Sequence, residues 1–195
     1  MKNKFKADAA IFVDVAYLNK TGNGLSQFFS NNVLGRPLPQ SDFGVFINSL
    51  AFQMGFEPGK RNIMVYLVRE GREEKFTFCT PSDLAEEFHE KSYTDSMGTF
   101  IFWSLPTLGH DTSRNAALEL AQFLCEEDKI PLAALVVDLN ECPERSVGNL
   151  TLVKGTKFIS FSMNPKDAET FPNFEHEELG HSLLNSFGIT PEDLK

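Results

Sequence analysis

The sequence has few cysteines and no long apolar run. Its three cysteines are Cys79, Cys125 and Cys142, and no two of them have the CxxC spacing that is typical of zinc sites and redox motifs. An odd number without such spacing does not indicate a disulfide framework, so we expect a reduced, cytoplasmic protein. No run of about 18 apolar residues occurs, and the short apolar run behind the first lysines does not resemble a signal peptide. We therefore expect no membrane span.

Basic residues are also scarce. The chain carries 18 lysines and arginines against 27 aspartates and glutamates, which gives a formal net charge of −9. A surface with this charge repels phosphate backbones, so nonspecific binding to nucleic acid is not expected. The charge does not identify another partner or an oligomeric state.

Phenylalanine, in contrast, is abundant. The chain has 19 phenylalanines among its 195 residues, and 42% of the residues are hydrophobic. This composition is typical of a globular protein and indicates a core rich in aromatic rings. The length suits one core of ordinary size, so we expect residues 1–195 to form a single domain.

Strand-like and helix-like segments alternate along most of the chain. The predicted strands are apolar on both faces, which is typical of a parallel sheet covered by helices on each side. We therefore predict an α/β protein with a mainly parallel, doubly wound sheet, helices on both faces and an antiparallel β-hairpin. The main predicted strands are "AIFVDV", "TFIFWSLP", "PLAALVVDLNE" and "TKFISFSM", and the clearest predicted helices are "SDFGVFINSLAFQM" and "DTSRNAALELAQFLCEEDK".

The remaining segments have local signals of their own. The runs "NIMVYLVRE" and "KFTFCT" around Gly71 predict the antiparallel hairpin. The residues from Asn19 to Gln40 are rich in glycine and asparagine and predict a long loop, or a loop around one short helix. A helix capped by Thr80 is predicted for "TPSDLAEEFHEK", and a last one for "EHEELGHSLLNSFG".

Three aspartates fall at or just after predicted strand ends. They are Asp14, Asp111 and Asp138. In open α/β sheets ligands bind outside the carboxyl ends of the parallel strands, so these carboxylates could meet in one crevice. Clustered carboxylates are the ligands that Mg²⁺ or Mn²⁺ prefers, and two such ions can clamp the oxygens of a phosphodiester during hydrolysis.

Each aspartate also has a structural alternative. Asp111 is well placed to cap the helix that begins near Ser113. Asp138 could open the turn "DLNECPE". Asp14 has no obvious turn to form, because Val15 and Ala16 follow it.

Other catalytic motifs are absent or incomplete. The histidines of "HEELGH", His176 and His181, are five residues apart and lie about 140° apart around a regular helix, so they cannot share one zinc ion. No GxSxG, GxGxxG or P-loop pattern occurs. A phosphatase of the haloacid dehalogenase type needs a second acid two residues after the first, and that position is Ala16.

Two segments resemble the NYN/PIN-like nuclease group. The opening "IFVDVAYLN" is similar to that of the group, with Asp14 and Asn19 in the corresponding places, and "GHDTSRNAALELAQF" resembles the segment that carries a second aspartate, here Asp111. The resemblance implies that Asp14, Asp111 and Asp138 bind Mg²⁺ or Mn²⁺ and that Asn19 orients water or substrate.

The chain departs from the group's pattern in two places. A lysine usually stands shortly before the second aspartate, where this chain has Gly109 and His110. Two aspartates separated by one residue usually end the fourth strand, where this chain has Asp138 and Asn140. The missing acid removes negative charge from the expected metal site.

Two hypotheses for the function follow. The first is a divergent metal-dependent phosphodiesterase, a hydrolase that uses Asp14, Asp111, Asp138 and Asn19. The second is a non-catalytic binding or scaffold domain that keeps the fold and recognises a protein or a small ligand. In the second case Phe28 and Phe29 could be exposed anchors, or they could fold back onto the core. Convergence of the three carboxylates would favour the first hypothesis.

Overall fold

The computed structural model describes residues 6–107, 111–164 and 166–193, and every structural statement below refers to these residues. Their strands are β1 (Ala9–Asp14), β2 (Ser41–Asp42), β3 (Asn62–Arg69), β4 (Cys79–Thr80), β5 (Lys91–Asp95), β6 (Gly98–Pro106), β7 (Leu132–Val136), β8 (Lys157–Ser162) and β9 (Glu175–Glu178). Their helices are α1 (Val15–Phe28), α2 (Phe43–Gln53), α3 (Ser113–Asp128), α4 (Glu144–Leu150), α5 (Asp167–Thr170) and α6 (Leu179–Ser186). Short π-helical turns cover Phe29–Val33 and Leu84–Phe88, and a 3₁₀ turn covers Leu139–Glu141.

Seven strands form one sheet in the order β5-β6-β3-β1-β7-β8-β9. All neighbours are parallel except β5 and β6, which are antiparallel. When the six parallel strands are numbered along the chain, their order is 3-2-1-4-5-6, the order of doubly wound dinucleotide-binding folds. The α/β prediction is confirmed, and the order of the strands reverses between β1 and β7.

The central strand β1 is buried on both faces. Ile11 and Val13 pack into one apolar cluster with α1, α2 and α6, whereas Ala10 and Phe12 pack into another with α3 and α4. All four side chains are fully buried. Side chains alternate along a strand, so a strand between two helical layers needs apolar residues at every position. This requirement explains the continuous apolar run of the sequence.

Phenylalanine rings form much of the first cluster. The ring of Phe43 lies 5.0 Å from that of Phe76 and 4.8 Å from that of Phe88, and Phe88 lies 5.5 Å from Phe102. Rings at these separations contribute a favourable interaction beyond the burial of their area. The abundance of phenylalanine therefore has a structural explanation in this layer.

The structure contains an antiparallel hairpin, but the sequence prediction placed it in the wrong segment. The antiparallel pair is β5 and β6, whereas β3 is parallel to both of its neighbours, β1 and β6. The stretch after Gly71 contributes only β4, which pairs in parallel with β2 outside the main sheet. From Ile63 to Val68 the side chains of β3 are all buried, so the strand belongs inside the sheet rather than in an edge hairpin.

Of the two alternatives for Asn19 to Gln40, the uninterrupted loop was wrong over its first half, and the loop that includes a helix is nearer to the structure. Those residues continue α1, which buries Leu18, Gly22 and Leu25 against the first cluster. The spacing of these three positions is helical, although polar and glycine residues separate them. Phe28, the last residue of α1, is 55% exposed, whereas Phe29, the next residue, packs partly against the core.

Two further predicted helices differ from the observed ones. The segment after Thr80 forms only the π-helical turn Leu84–Phe88, whose cap is Asp83, while Thr80 itself belongs to β4. The segment from Glu175 first pairs with β8 as strand β9, and helix α6 begins only at Leu179. None of the described helices is long and apolar enough to cross a membrane.

Helix α1 allows a direct test of the packing around Phe78. A Cβ atom on Gly22 would lie 2.5 Å from the ring of Phe78, whereas a Cβ on Gly24 would meet nothing within 4 Å. We predict that Gly22→Ala lowers the free energy of unfolding by about 1–2 kcal/mol, because overpacking outweighs the better helix propensity of alanine. Gly24→Ala, the matched control, should raise it by up to about 1 kcal/mol.

Urea unfolding followed by circular dichroism measures both changes. A Gly22→Ala protein as stable as the Gly24→Ala control would contradict the close contact between α1 and Phe78.

Candidate functional site

Asp14 lies where the order of the strands reverses. It is the last residue of β1 and the N-cap of α1, and its Oδ1 accepts a hydrogen bond of 3.1 Å from the backbone N–H of Ala16. The side chain is only 4% exposed. In doubly wound sheets this position, at the carboxyl end of the central strand, borders the ligand-binding crevice.

The N-terminus of a second helix, α3, also contacts Asp14. Ser113, the first residue of α3, donates its hydroxyl hydrogen to Asp14 Oδ1 at 2.6 Å. The cap of α3 is Thr112, whose hydroxyl accepts from the backbone N–H of Asn115 at 3.3 Å. Helix N-termini carry partial positive charge, so α1 and α3 both stabilise negative charge on Asp14.

Burial nevertheless raises the pKa of Asp14 above its ordinary value. The hydrogen bonds from Ser113 and from the first turn of α1, together with the charge of Arg114, oppose this rise without cancelling it. Glu73 also has a raised pKa, mainly from burial and further from the charge of Asp14. Two carboxylates that resist ionisation therefore lie within electrostatic reach of each other, a pattern that is common at functional sites.

Asp138 and Asp167 lie on the other side of the reversal point. Asp138 follows β7, and its Oδ1 accepts from the backbone N–H of Asn140 at 3.2 Å. The side-chain amide of Asn140 donates to Asp167 Oδ1 at 2.9 Å. Burial raises the pKa of Tyr17 to about 12, and the charges of Asp138 and Asp167 contribute to the rise.

The thiol of Cys142 donates to the backbone oxygen of Asp138 at 3.3 Å. Burial raises the pKa of its thiol to about 12; Arg114 opposes the rise, and Asp14 and Asp138 add to it. Since β1 and β7 are parallel neighbours with Val13 opposite Val136, the aspartates that follow, Asp14 and Asp138, lie at the same edge of the sheet. Arg114 also approaches Glu141 at 3.5 Å, so the crevice contains a cation among several carboxylates.

Asp111 does not cap α3, since Thr112 has that role. Asp111 Oδ1 instead accepts from the backbone N–H of Thr112 at 2.9 Å and from the side-chain amide of Asn115 at 3.0 Å. The alternative that Asp111 is the N-cap is therefore wrong by one residue. Asp111 lies just before α3, two residues ahead of Ser113, the serine that contacts Asp14.

Asn19 has a structural task. Its Nδ2 donates to the backbone oxygen of Lys75 at 3.1 Å, and its Oδ1 accepts from the N–H of Thr77 at 2.8 Å. Both polar atoms thus hold the segment after β3 against α1. Each atom keeps capacity for one further hydrogen bond, so these contacts explain Asn19 structurally without assigning it to water or substrate.

The sequence prediction missed two acidic residues. Glu73 lies in the irregular segment after β3, and Asp167 comes five residues after the end of β8. Neither ends an apolar run, which was the signal that identified Asp14 and Asp138. Asp167 is only 2% exposed, although its burial could be inferred only from the packing of α5.

The donors around the crevice are carboxylate, amide and hydroxyl oxygens, which suit a hard cation such as Mg²⁺ or Mn²⁺. Within the described ranges, however, no three histidine, cysteine, aspartate or glutamate side chains are arranged to hold one metal ion. Mg²⁺ commonly keeps several waters and uses one or two protein carboxylates together with substrate phosphates. The chemistry of the donors therefore fits such an ion, while their arrangement does not form a closed protein cage.

The raised pKa of Asp14 predicts how stability depends on pH. The native protein holds the proton of Asp14 more tightly than the unfolded chain, whose carboxyl has its ordinary value of 3.8. The contribution of Asp14 to the free energy of unfolding therefore falls as the pH rises from about 3.8 through the native pKa. Asp14→Asn keeps an N-cap and has no carboxyl group to ionise. The free energy of unfolding of Asp14→Asn, relative to that of the wild type, should therefore increase with pH.

Urea unfolding of both proteins between about pH 4 and pH 8 measures the effect. Asp14→Ala is the control for the cap: it should be less stable than Asp14→Asn by about 1 kcal/mol at every pH. A difference between Asp14→Asn and the wild type that stays constant with pH would contradict the raised pKa.

Comparison with known proteins gives a family but no activity. Neither a curated protein nor a solved structure matches this chain. One family profile, described as a family of unknown function (DUF6621), matches residues 2–194 and so covers nearly the whole sequence. The chain with an aspartate at the reversal point of its doubly wound sheet therefore belongs to the DUF6621 family.

Proposed function

We propose that this chain is a divergent metal-dependent phosphodiesterase that works in the crevice between the ends of β1 and β7. The observation that carries the proposal is the carboxylate of Asp14, which is buried at the reversal point of the sheet and contacts the start of α3. A charged side chain that is costly to bury is retained where a ligand can use it.

Asp167 supports the proposal because it supplies an acid that the sequence pattern lacks. Where the NYN/PIN-like group has a second aspartate, this chain has Asn140, and the amide of Asn140 is hydrogen-bonded to Asp167. In this chain the second negative charge would therefore come from Asp167 in α5 rather than from a second aspartate after β7. One or two of Asp14, Asp138 and Asp167 would hold Mg²⁺ or Mn²⁺, with waters and the substrate phosphate completing its coordination.

The bound ion would polarise the phosphate and lower the pKa of a bound water. The protein's own residues do the rest. Ser113 and the N-terminus of α1 orient the Asp14 carboxylate, so that its free lone pairs point in a constant direction. Arg114, next to Asp14 and Glu141, supplies the guanidinium donors that suit a phosphate oxygen.

The net charge of −9 bears on the substrate. A long nucleic acid would bring many phosphates against an acidic surface, whereas a small phosphodiester brings one or two into the crevice. We therefore propose that the substrate is a small phosphodiester, or one at the end of a chain, rather than an extended duplex.

A second candidate is a non-catalytic binding domain. The hydrogen bonds of the aspartates favour it: Asp14 caps α1, Asp138 caps the 3₁₀ turn, and Asp111 binds Thr112 and Asn115. Each carboxylate thus has a structural task that needs no metal. In that case the crevice would recognise a small ligand or a protein without chemistry.

Calorimetric titration of Mn²⁺ tests the two candidates. We expect the wild-type protein to bind Mn²⁺ and Asp14→Asn to bind it at least about tenfold more weakly, since one charged ligand is lost. Asp8→Asn is the matched control, because Asp8 precedes β1 and accepts from the backbone N–H of Asn62 at the opposite edge of the sheet from Asp14. Hydrolysis of bis(p-nitrophenyl) phosphate should require Mn²⁺ and should be lost in Asp14→Asn only.

The absence of Mn²⁺ binding to the wild type would exclude the phosphodiesterase and leave the binding domain. Equal binding by all three proteins would mean that the ion lies elsewhere.

Asp167 allows a further test within the same assay. Asp167→Asn keeps an oxygen that can accept from Asn140 but removes the charge. We predict that Asp167→Asn weakens Mn²⁺ binding by several-fold, which is less than the effect of Asp14→Asn. The effect is smaller because Asp167 is hydrogen-bonded to Asn140 and would act on the ion from a greater distance. An Asp167→Asn protein with wild-type affinity would show that this charge has no part in the site.

A further inference from the structure

A cavity lies apart from the candidate site, and none of Asp14, Asp138 and Asp167 is in its lining. Its volume is about 300 Å³, and it is enclosed by the N-terminal turn of α2, the π-helical turn Leu84–Phe88, β5 and β6. This volume is at the lower end of the range for sites that bind small molecules. The proposed function makes no use of this cavity.

The floor of the cavity is apolar and rigid. It is formed by Phe43, Ile47, Phe88 and Phe102, each of which is at most 4% exposed. Phe43 and Phe88 are packed edge to face at 4.8 Å, and so are Phe88 and Phe102 at 5.5 Å. Because these rings hold each other in place, the floor is formed before any ligand arrives.

The mouth of the cavity is polar and is kept open by Gly44. A Cβ on Gly44 would lie 3.1 Å from Asp42 Oδ1 and 3.7 Å from the phenol oxygen of Tyr93. A carboxylate and an aromatic ring therefore converge on a space that any larger residue would fill. Tyr93 is 40% exposed, so its ring is available to a ligand.

Acidic groups outnumber basic ones around this mouth. The lining contains Asp42 and Glu87 against Lys91 alone. The pKa of Tyr93 is raised, first by burial and then by the charges of Asp95 and Asp42. Burial likewise raises the pKa of the Cys79 thiol, and Asp42 and Glu87 raise it further. The electrostatic potential at the mouth is therefore negative.

We propose that this cavity binds a small organic cation, with its ammonium group between Asp42 and Tyr93 and its aryl or alkyl group on the phenylalanine floor. Carboxylates neutralise such a group, and the face of an aromatic ring attracts it by a cation–π interaction. An anion of the same shape would face Asp42 and Glu87 and would gain only the charge of Lys91.

A pair of probes with the same phenylethyl group and opposite charges tests the sign of the charge. Titration of the full chain with 2-phenylethylammonium, followed by the NMR shifts of Gly44 and Tyr93, should give saturable binding. Titration with 3-phenylpropionate, which has the same ring and a carboxylate, should give an affinity about tenfold lower or none. Equal or tighter binding of the carboxylate would overturn the proposal, and so would the absence of binding by the ammonium.

Two variants locate the binding. Gly44→Leu fills the mouth and should abolish binding, whereas Gly24→Leu, on an open face of α1, should leave it unchanged. Asp42→Asn keeps the cap of α2 and removes the charge, so the affinity for the ammonium should fall roughly several-fold while the affinity for the carboxylate does not fall.

If Gly44→Leu fails to fold, Asp42→Asn decides the question. Unchanged ammonium binding in Asp42→Asn, or retained binding in a folded Gly44→Leu, would mean that the cation binds elsewhere and would overturn the proposal.

Discussion

The fold depends on burying β1 between two apolar layers. Every position of this strand is buried, and strands on both sides satisfy its backbone hydrogen bonds. A polar side chain can remain in such a strand only at its end, where helix N-termini and a hydroxyl can hydrogen-bond to it. Asp14 occupies that end and accepts from Ala16 and Ser113, so the central constraint of the fold also determines where the candidate site lies.

The same constraint explains which features could be predicted from the sequence. Asp14 was recognisable because a carboxylate at the end of an apolar run is unusual, and the alternation of apolar segments was sufficient to predict a parallel sheet. Asp138 was found by the same signal at the end of β7. In each case the information is local, since a run of a few residues contains both the strand and its polar end.

The rest depends on contacts between distant parts of the chain. Gly71 looks like a hairpin turn, but the burial of β3 on both faces makes it an inner strand, a fact that depends on β1 and β6. The residues of α1 look like a loop, because Gly22 is there to make room for Phe78, more than fifty positions later in the chain. Asp167 meets Asn140 through the packing of α5, for which no short pattern exists.

The most direct test of the account is to find where a divalent ion binds. Mn²⁺ broadens the NMR signals of nuclei close to it, so substoichiometric Mn²⁺ added to the labelled wild-type protein reports the site without any substitution. We expect the amide signals of Ala16, Ser113 and Asn140 to broaden first. Broadening confined to the exposed acidic strand β9, or no selective broadening, would contradict a metal site at the reversal point of the sheet.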